Sequence, residues 1–365
     1  MSGFVCLDVS SAVSSSQLSG FKCEFGDQGS ARFDALGAWC SAHLGDDFFR
    51  RLVDGRILKN NHLDSSVQAE GVQARLQLLV EQFRGNPEFL SRAQFELISS
   101  VPDSAFSELD ALYPQTYPEG VPVLPPDRYR DWVVPVTTGC PNGQCSFCVF
   151  YRDKPFQVMN PSVIGTRMVN VRRLVNESRS GVFLGSANAL ALPFHSLQSV
   201  LSLIQTEFPV LPKGIACFAD ADNLSPKVRS RLKELAEAGL SHVVVGLETG
   251  SSVLRGAINK RGDTVPTEHL IRELKQAGCG VGVTVLTGFL AADDFEQHCQ
   301  ETRRFFERVK LDTQDRIYIS PWFASDEGKP AQRAINEMAQ MKATLQTVTR
   351  ARVTAYSSHN FYYFT

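Results

Sequence analysis

Three of the nine cysteines in this 365-residue chain crowd together at Cys140, Cys145 and Cys148, within the run GCPNGQCSFCVFYRDKPF (139–156). The other six, at 6, 23, 40, 217, 279 and 299, stand alone. An odd count without secretory context argues against a disulfide framework. Thiolates separated by four and then two residues can reach three corners of one compact centre, and cysteine ligands favour iron–sulfur clusters and zinc. A structural zinc site normally takes four protein ligands, and after Cys148 no Cys or His follows until His195. Three ligands without a fourth suit a [4Fe–4S] cluster whose remaining iron stays open to a substrate or cosubstrate. Three structural cysteines, or a zinc knot closed from afar, are the competing readings. Cys6, Cys23 and Cys40 have no recognised ligand spacing and read as ordinary thiols. Cys217, Cys279 and Cys299 read as small buried hydrophobes.

The elements that must position this loop repeat along the chain. VVPVTTG (133–139), an apolar run closed by Gly, predicts a buried parallel strand just before the first cysteine. Strand and helix then alternate. Strands are expected at 181–187, 214–220, 242–249, 280–289 and 316–322, each followed by a helical pattern. Six βα units predict an α/β fold, a partial (βα)6 TIM-like parallel barrel, with a doubly wound sheet as the alternative. Ligands of either architecture sit at the C-terminal strand ends. Polar groups there, Asp220, Asp222, Thr284, Thr287, Tyr318, Ser320 and Trp322, are candidates to contact a substrate. The aromatic-rich end (352–365) is expected to pack back onto the barrel.

Residues 1–125 read as a mainly helical extension of unassigned role, with amphipathic stretches at 46–58 and 66–83. The proline-rich 121–131 is the expected linker into a barrel domain at 126–365. Composition narrows the partners. Hydrophobic residues make up 43% and charged residues 21%, as in an ordinary globular protein. A formal charge of −2 gives no basic excess for nucleic acid. No apolar run has the length of a membrane span, and the N-terminus lacks a secretory pattern, so a cytoplasmic protein is expected.

The cysteine loop resembles that of the radical S-adenosylmethionine superfamily, with Phe147 at the aromatic position before the last cysteine. Four residues rather than the usual three fill the first gap, and the continuation Cys145 to Phe156 matches a subgroup with that spacing. Three further segments resemble the same family in the same order. VFLGSANALALP (182–193) resembles the segment that meets the methionine amino group, with Gly185, Ser186, Ala187 and Asn188 in place of the more usual Gly-Gly-Glu. VVVGLETGSSVL (243–254) with NKRG (259–262) resembles a fourth-strand segment, which implies Glu248 and Ser251 near the cosubstrate's ribose or carboxylate. VGVTVLTGF (281–289) with HCQET (298–302) resembles the fifth.

The resemblance implies a [4Fe–4S] cluster held by Cys140, Cys145 and Cys148, and S-adenosylmethionine bound near Phe147, Gly185, Ser186, Asn188, Glu248 and Ser251. It implies reductive cleavage to a 5′-deoxyadenosyl radical, with flavodoxin or ferredoxin as electron donor. The lumen residues Asp220, Thr284, Tyr318 and Trp322 are then expected to face a small-molecule, biosynthetic substrate. There is no DxHxxG cobalamin signature, no second cysteine cluster and no basic appended domain, which weighs against three of the family's subclasses. Two alternatives remain: transfer of a 3-amino-3-carboxypropyl group from the same cosubstrate, and an iron–sulfur redox sensor.

Overall fold

A computed structural model describes residues 20–86, 89–289, 294–322, 332–357 and 362–365; Cys6 lies outside them. The chain divides into two compact units. The first takes Met1–Tyr113, Arg172–Ser178 and Phe364–Thr365, the second Pro114–Val171 and Arg179–Tyr363.

The first unit departs from the expected helical extension. It opens with an antiparallel meander, β1 (Phe21–Glu24), β2 (Gly29–Phe33), β3 (Trp39–Leu44), β4 (Asp47–Arg51), β5 (Ile57–Lys59) and β6 (His62–Leu63), and only then turns helical with α1 (Ala69–Gln82), α2 (Arg92–Ser100) and α3 (Ala105–Thr116). The stretch 46–58, expected as an amphipathic helix, is two strands. The reason lies in the turns. Leu44 pairs with Asp47, leaving the two-residue loop Gly45-Asp46 with Gly45 at φ +63°. Asn60 and Asn61 both take positive φ, +51° and +68°, as a tight hairpin needs at both central positions. Ala69, Val72, Leu76 and Val80 make one buried face of α1, joined in a core with Phe25, Phe33, Trp39 and Ile98. Cys23 and Cys40 are buried in this unit, as small core side chains.

The second unit is a partial parallel barrel. Its elements are β7 (Trp132–Pro135), the short strands β8 (Thr137–Thr138) and β9 (Gln157–Val158), α4 (Pro161–Leu174), β10 (Val182–Gly185), α5 (Phe194–Glu207), β11 (Ile215–Ala219), α6 (Pro226–Arg229), α7 (Leu232–Glu237), β12 (Leu240–Glu248), α8 (Ser252–Ala257), α9 (Thr264–Gln276), β13 (Gly280–Thr287), α10 (Phe295–Val309), β14 (Arg316–Pro321), α11 (Gln332–Gln346) and β15 (Arg352–Ala355). The sheet order is β7-β10-β11-β12-β13-β14-β15, every pair parallel. The expected six strands are therefore seven. The seventh, β15, lies in the stretch expected only as an aromatic tail, because four residues without an apolar run carry no periodic signal.

The tail does return. The Val133 amide donates to Tyr363 Oη (3.0 Å), Tyr363 Oη donates to the Asp131 carbonyl (3.0 Å), and Tyr117 Oη donates to the Val133 carbonyl (2.8 Å). Two tyrosines thus satisfy the free edge of β7, which would otherwise invite another strand. Inside the arc, glycines make room for large neighbours: a Cβ on Gly282 would lie 2.6 Å from the Tyr318 ring. Cys217 on β11, Cys299 on α10 and Cys279 just before β13 are buried thiols around it.

Candidate active site

The cysteine loop leaves the end of β7 with its base closed. Thr137 pairs with Val158 and Thr138 with Gln157. Gly139 turns the chain at φ +58°, and a Cβ there would lie 2.5 Å from the Lys154 and Pro155 carbonyl oxygens. Its amide donates to both Glu119 carboxylate oxygens (2.9 and 3.1 Å), and Lys154 Nζ donates to the Glu119 carbonyl (3.1 Å). One acidic residue therefore ties the two ends of the loop together.

Between those ends Cys140, Cys145 and Cys148 are half-buried thiols, and Asn142 Nδ2 donates to Cys145 Sγ at 2.9 Å. Burial pushes the Cys145 thiol up to about 12 and raises Cys148 as well, with the neighbouring cysteines adding to both. Thiols this reluctant to ionise become ligands when a metal centre displaces the proton. Among the described residues no three His, Cys, Asp or Glu side chains gather tightly enough to hold a single metal ion. A [4Fe–4S] cube instead takes one thiolate at each of three separate corners, and three sulfurs from one short loop fit that donor set. Phe147 is half-buried between the last two cysteines.

The end of β10 forms a second wall. The Ser186 amide donates to Thr137 Oγ1 (3.2 Å) and its hydroxyl donates to Tyr151 Oη (2.8 Å), so this segment is bonded to the loop itself. Gly185, Ser186, Thr137, Glu119 and Arg167 border a small cleft of about 20 Å³. Asn188 is only 1% exposed, yet both its amide nitrogen and its oxygen lack a hydrogen-bond partner among the described residues. Leaving such groups unpaired costs about 1–3 kcal/mol each. A partner from outside the chain removes that cost, and an amino acid moiety offers both a donor and an acceptor.

The ends of β11, β12 and β13 form the third wall. A bulge between Gly246 and Glu248 interrupts the register with β13, and Glu248 takes φ +67°. This re-aims its carboxylate, which accepts from Thr284 Oγ1 at 3.1 Å and lies 3.8 Å from Lys260 Nζ. Lys260 Nζ is also 3.6 Å from Asp220. Burial raises the Glu248 carboxyl, with Lys260 opposing. Burial works against the Lys260 charge too, but Asp220 and Glu248 hold it above the ordinary lysine value. Lys260 was not singled out in the sequence. The available signal was NKRG itself, since Asn259 (φ +53°) and Gly262 (φ +74°) both favour a left-handed backbone and reverse the chain onto the strand ends.

Several expected residues point elsewhere. Ser251 is fully buried and its Oγ caps α8 by accepting from the Leu254 amide, which commits the hydroxyl to the helix. Tyr318 packs with Val244 and Tyr356, and its hydroxyl donates to Asp127 (2.8 Å), so it is core rather than mouth. Thr287 donates to the Ala334 carbonyl on the outer helix α11. Ser320 and Trp322 are half-buried at the end of β14, the Trp322 amide donating to the Thr287 carbonyl. Asp222 lies 3.7 Å from the buried Arg255 guanidinium, outside the Lys260 group. The structure brings together the cysteine loop, Ser186, Glu248, Thr284, Asp220 and Lys260.

The sequence profile of the Radical SAM superfamily matches residues 134–305. No curated protein matches the chain. Among solved structures the chain is similar to methylornithine synthase PylB, with 12% identity, 76% of this chain and 81% of that chain covered, and a TM-score of 0.44. It is similar to SuiB of Streptococcus suis at 12% identity, covering 87% and 72%, with a TM-score of 0.45. It is also similar to the cobalamin-dependent S-adenosylmethionine radical enzyme OxsB, at 12% identity and a TM-score of 0.39. There the match covers 60% of this chain and 32% of that one, so the chain spans about a third of that relative's length. Residues 134–305 are therefore a radical SAM domain, of the superfamily whose members work with a [4Fe–4S] cluster and S-adenosylmethionine.

Proposed function

We propose that Cys140, Cys145 and Cys148 ligate the cluster and that the enzyme abstracts hydrogen from a small-molecule substrate held among the ends of β11, β12 and β13. When bound, the cluster would pass one electron from the donor to the sulfonium of S-adenosylmethionine, which would yield methionine and a 5′-deoxyadenosyl radical. The chain's own share is binding, orientation and exclusion of water. Asn188 pairs the amino acid end of the cosubstrate, the Gly185–Ser186 backbone borders it, and Glu248 faces its ribose. Asp220 and Thr284 are left for the substrate. Flavodoxin or ferredoxin is the electron donor, and the N-terminal unit has no assigned role.

The observation that carries this reading is the Asn188 amide, without a partner on either atom among the described residues, on a segment hydrogen-bonded to the cysteine loop. Product analysis after anaerobic incubation with dithionite and S-adenosylmethionine tests it. The expected nucleoside is 5′-deoxyadenosine. Recovery of 5′-methylthioadenosine alone favours aminocarboxypropyl transfer, and no turnover with an intact cluster favours a sensor.

A further inference from the structure

The turn after α8 is built to deliver a lysine. Arg255, fully buried, donates to the carbonyls of Leu247 (2.7 Å), Arg261 (2.7 Å) and Gly262 (3.3 Å), pinning the turn to the end of β12. At Gly262 a Cβ would come 2.4 Å from the Asp222 carboxylate. The Lys260 amide donates to the Arg255 carbonyl at 3.0 Å, which directs the side chain back over β12. Its ammonium then hangs above Gly246, where a Cβ would lie 2.8 Å from Nζ. Two residues earlier, the Ile258 carbonyl accepts from the Ser146 amide at 3.0 Å, next to Cys145. The turn that grips the cysteine loop is the turn that carries the buried ammonium.

We infer that Lys260 is a positioning residue for the cluster, its buried charge against the Cys145 end of the loop setting the cluster's reduction potential. The inference rests on the three cysteines being the ligands. Reduction adds a negative charge to a centre already bearing three thiolates, and cluster potentials follow net charge, hydrogen bonding and exposure. A charge in a buried setting acts more strongly than one in water. The Lys260 side chain is 9% exposed, so its field is little screened. Asp220 and Glu248 hold the ammonium in place and carry the opposite sign. The three side chains are therefore opposed levers on one centre.

The full chain, reconstituted anaerobically, is titrated with mediators and followed by EPR in the absence of S-adenosylmethionine, with iron counted in each protein. Lys260→Met should keep the wild-type iron content and shift the midpoint potential to more negative values. Lys260→Arg should stay near wild type. Asp220→Asn should shift it to more positive values, a reversal of sign that a merely structural role would not produce. An unchanged potential in Lys260→Met at full iron, or the same direction of shift in both charge-removing variants, overturns the inference. If Lys260→Met holds too little iron to titrate, Asp220→Asn decides: a positive shift supports the inference and no shift overturns it. A wild type without a four-iron cluster instead refutes the ligand reading itself, and the inference falls with it.

Discussion

Ser186 Oγ donates to Tyr151 Oη at 2.8 Å, so the end of the second barrel strand is hydrogen-bonded to the loop that carries the cysteines. Tyr151 is half-buried, and desolvation of its hydroxyl raises the phenol well above the usual range and keeps it neutral. A neutral pair of hydroxyls holds its geometry across the physiological pH range. The cluster loop and the cosubstrate wall are thereby one piece of framework, and Asn188 sits two residues beyond the joint.

That placement gives a prediction for binding. Asn188→Ala should weaken S-adenosylmethionine affinity about tenfold, the loss of one to two net hydrogen bonds at about 1 kcal/mol each. Iron content should stay at the wild-type level, because Asn188 makes no hydrogen bond to a cysteine among the described residues. Equilibrium binding to the reconstituted protein checks this, and unchanged affinity places the pocket elsewhere.

The cysteine loop and the barrel strands are legible in the sequence for a common reason. Short apolar runs closed by Gly, such as VVPVTTG and GVFLGSA, have a periodicity that survives folding, and thiol spacing is a local property. The six-stranded meander is not legible from periodicity alone. Phe49 and Arg51 alternate as a strand requires, but in a window that also fits a helix, and the turns Gly45-Asp46 and Asn60-Asn61 decide between them. Ser251 and Tyr318 show the limit of strand-end reasoning. Both are polar, but one caps a helix and the other, in the first half of β14, packs inward onto Asp127. Lys260 shows the converse, a residue twelve positions past Glu248 that a tight turn returns to it.

A second prediction concerns that turn. Arg255→Met should lower unfolding stability by about 3 kcal/mol, since three carbonyls lose their donor inside the protein. Denaturant unfolding measures this. A change below about 0.5 kcal/mol, the range of ordinary surface substitutions, would show that the guanidinium does not hold the turn.

Acid sensitivity follows from His298. It is fully buried on α10, with Nδ1 against Thr249 Oγ1 (2.8 Å) and Nε2 against the Leu286 carbonyl (3.0 Å). The carbonyl requires an N–H at Nε2, which leaves Nδ1 as the acceptor in the neutral ring. Burial lowers the folded-state value from 6.5 to about 4. The unfolded chain therefore binds the proton more readily. The stabilisation is present above pH about 6.5 and is lost as pH falls from there toward about 4, on the order of 2 kcal/mol. Thermal melts from pH 7.5 to 4.5 should show a steeper decline in wild type than in His298→Gln. His242, also lowered to about 4 by burial, remains in both proteins and contributes to the residual slope. Equal slopes would remove His298 from the account.

The most direct test of the central claim is EPR of the anaerobically reconstituted, dithionite-reduced protein before and after addition of S-adenosylmethionine. The account predicts about four irons per chain, a [4Fe–4S]⁺ signal, and a change in that signal when the cosubstrate reaches the iron left without a thiolate. Cys140→Ala, Cys145→Ala and Cys148→Ala should each lose the signal, whereas Cys23→Ala and Cys40→Ala should retain it. A normal cluster in Cys148→Ala, or a wild-type signal indifferent to S-adenosylmethionine, would contradict it.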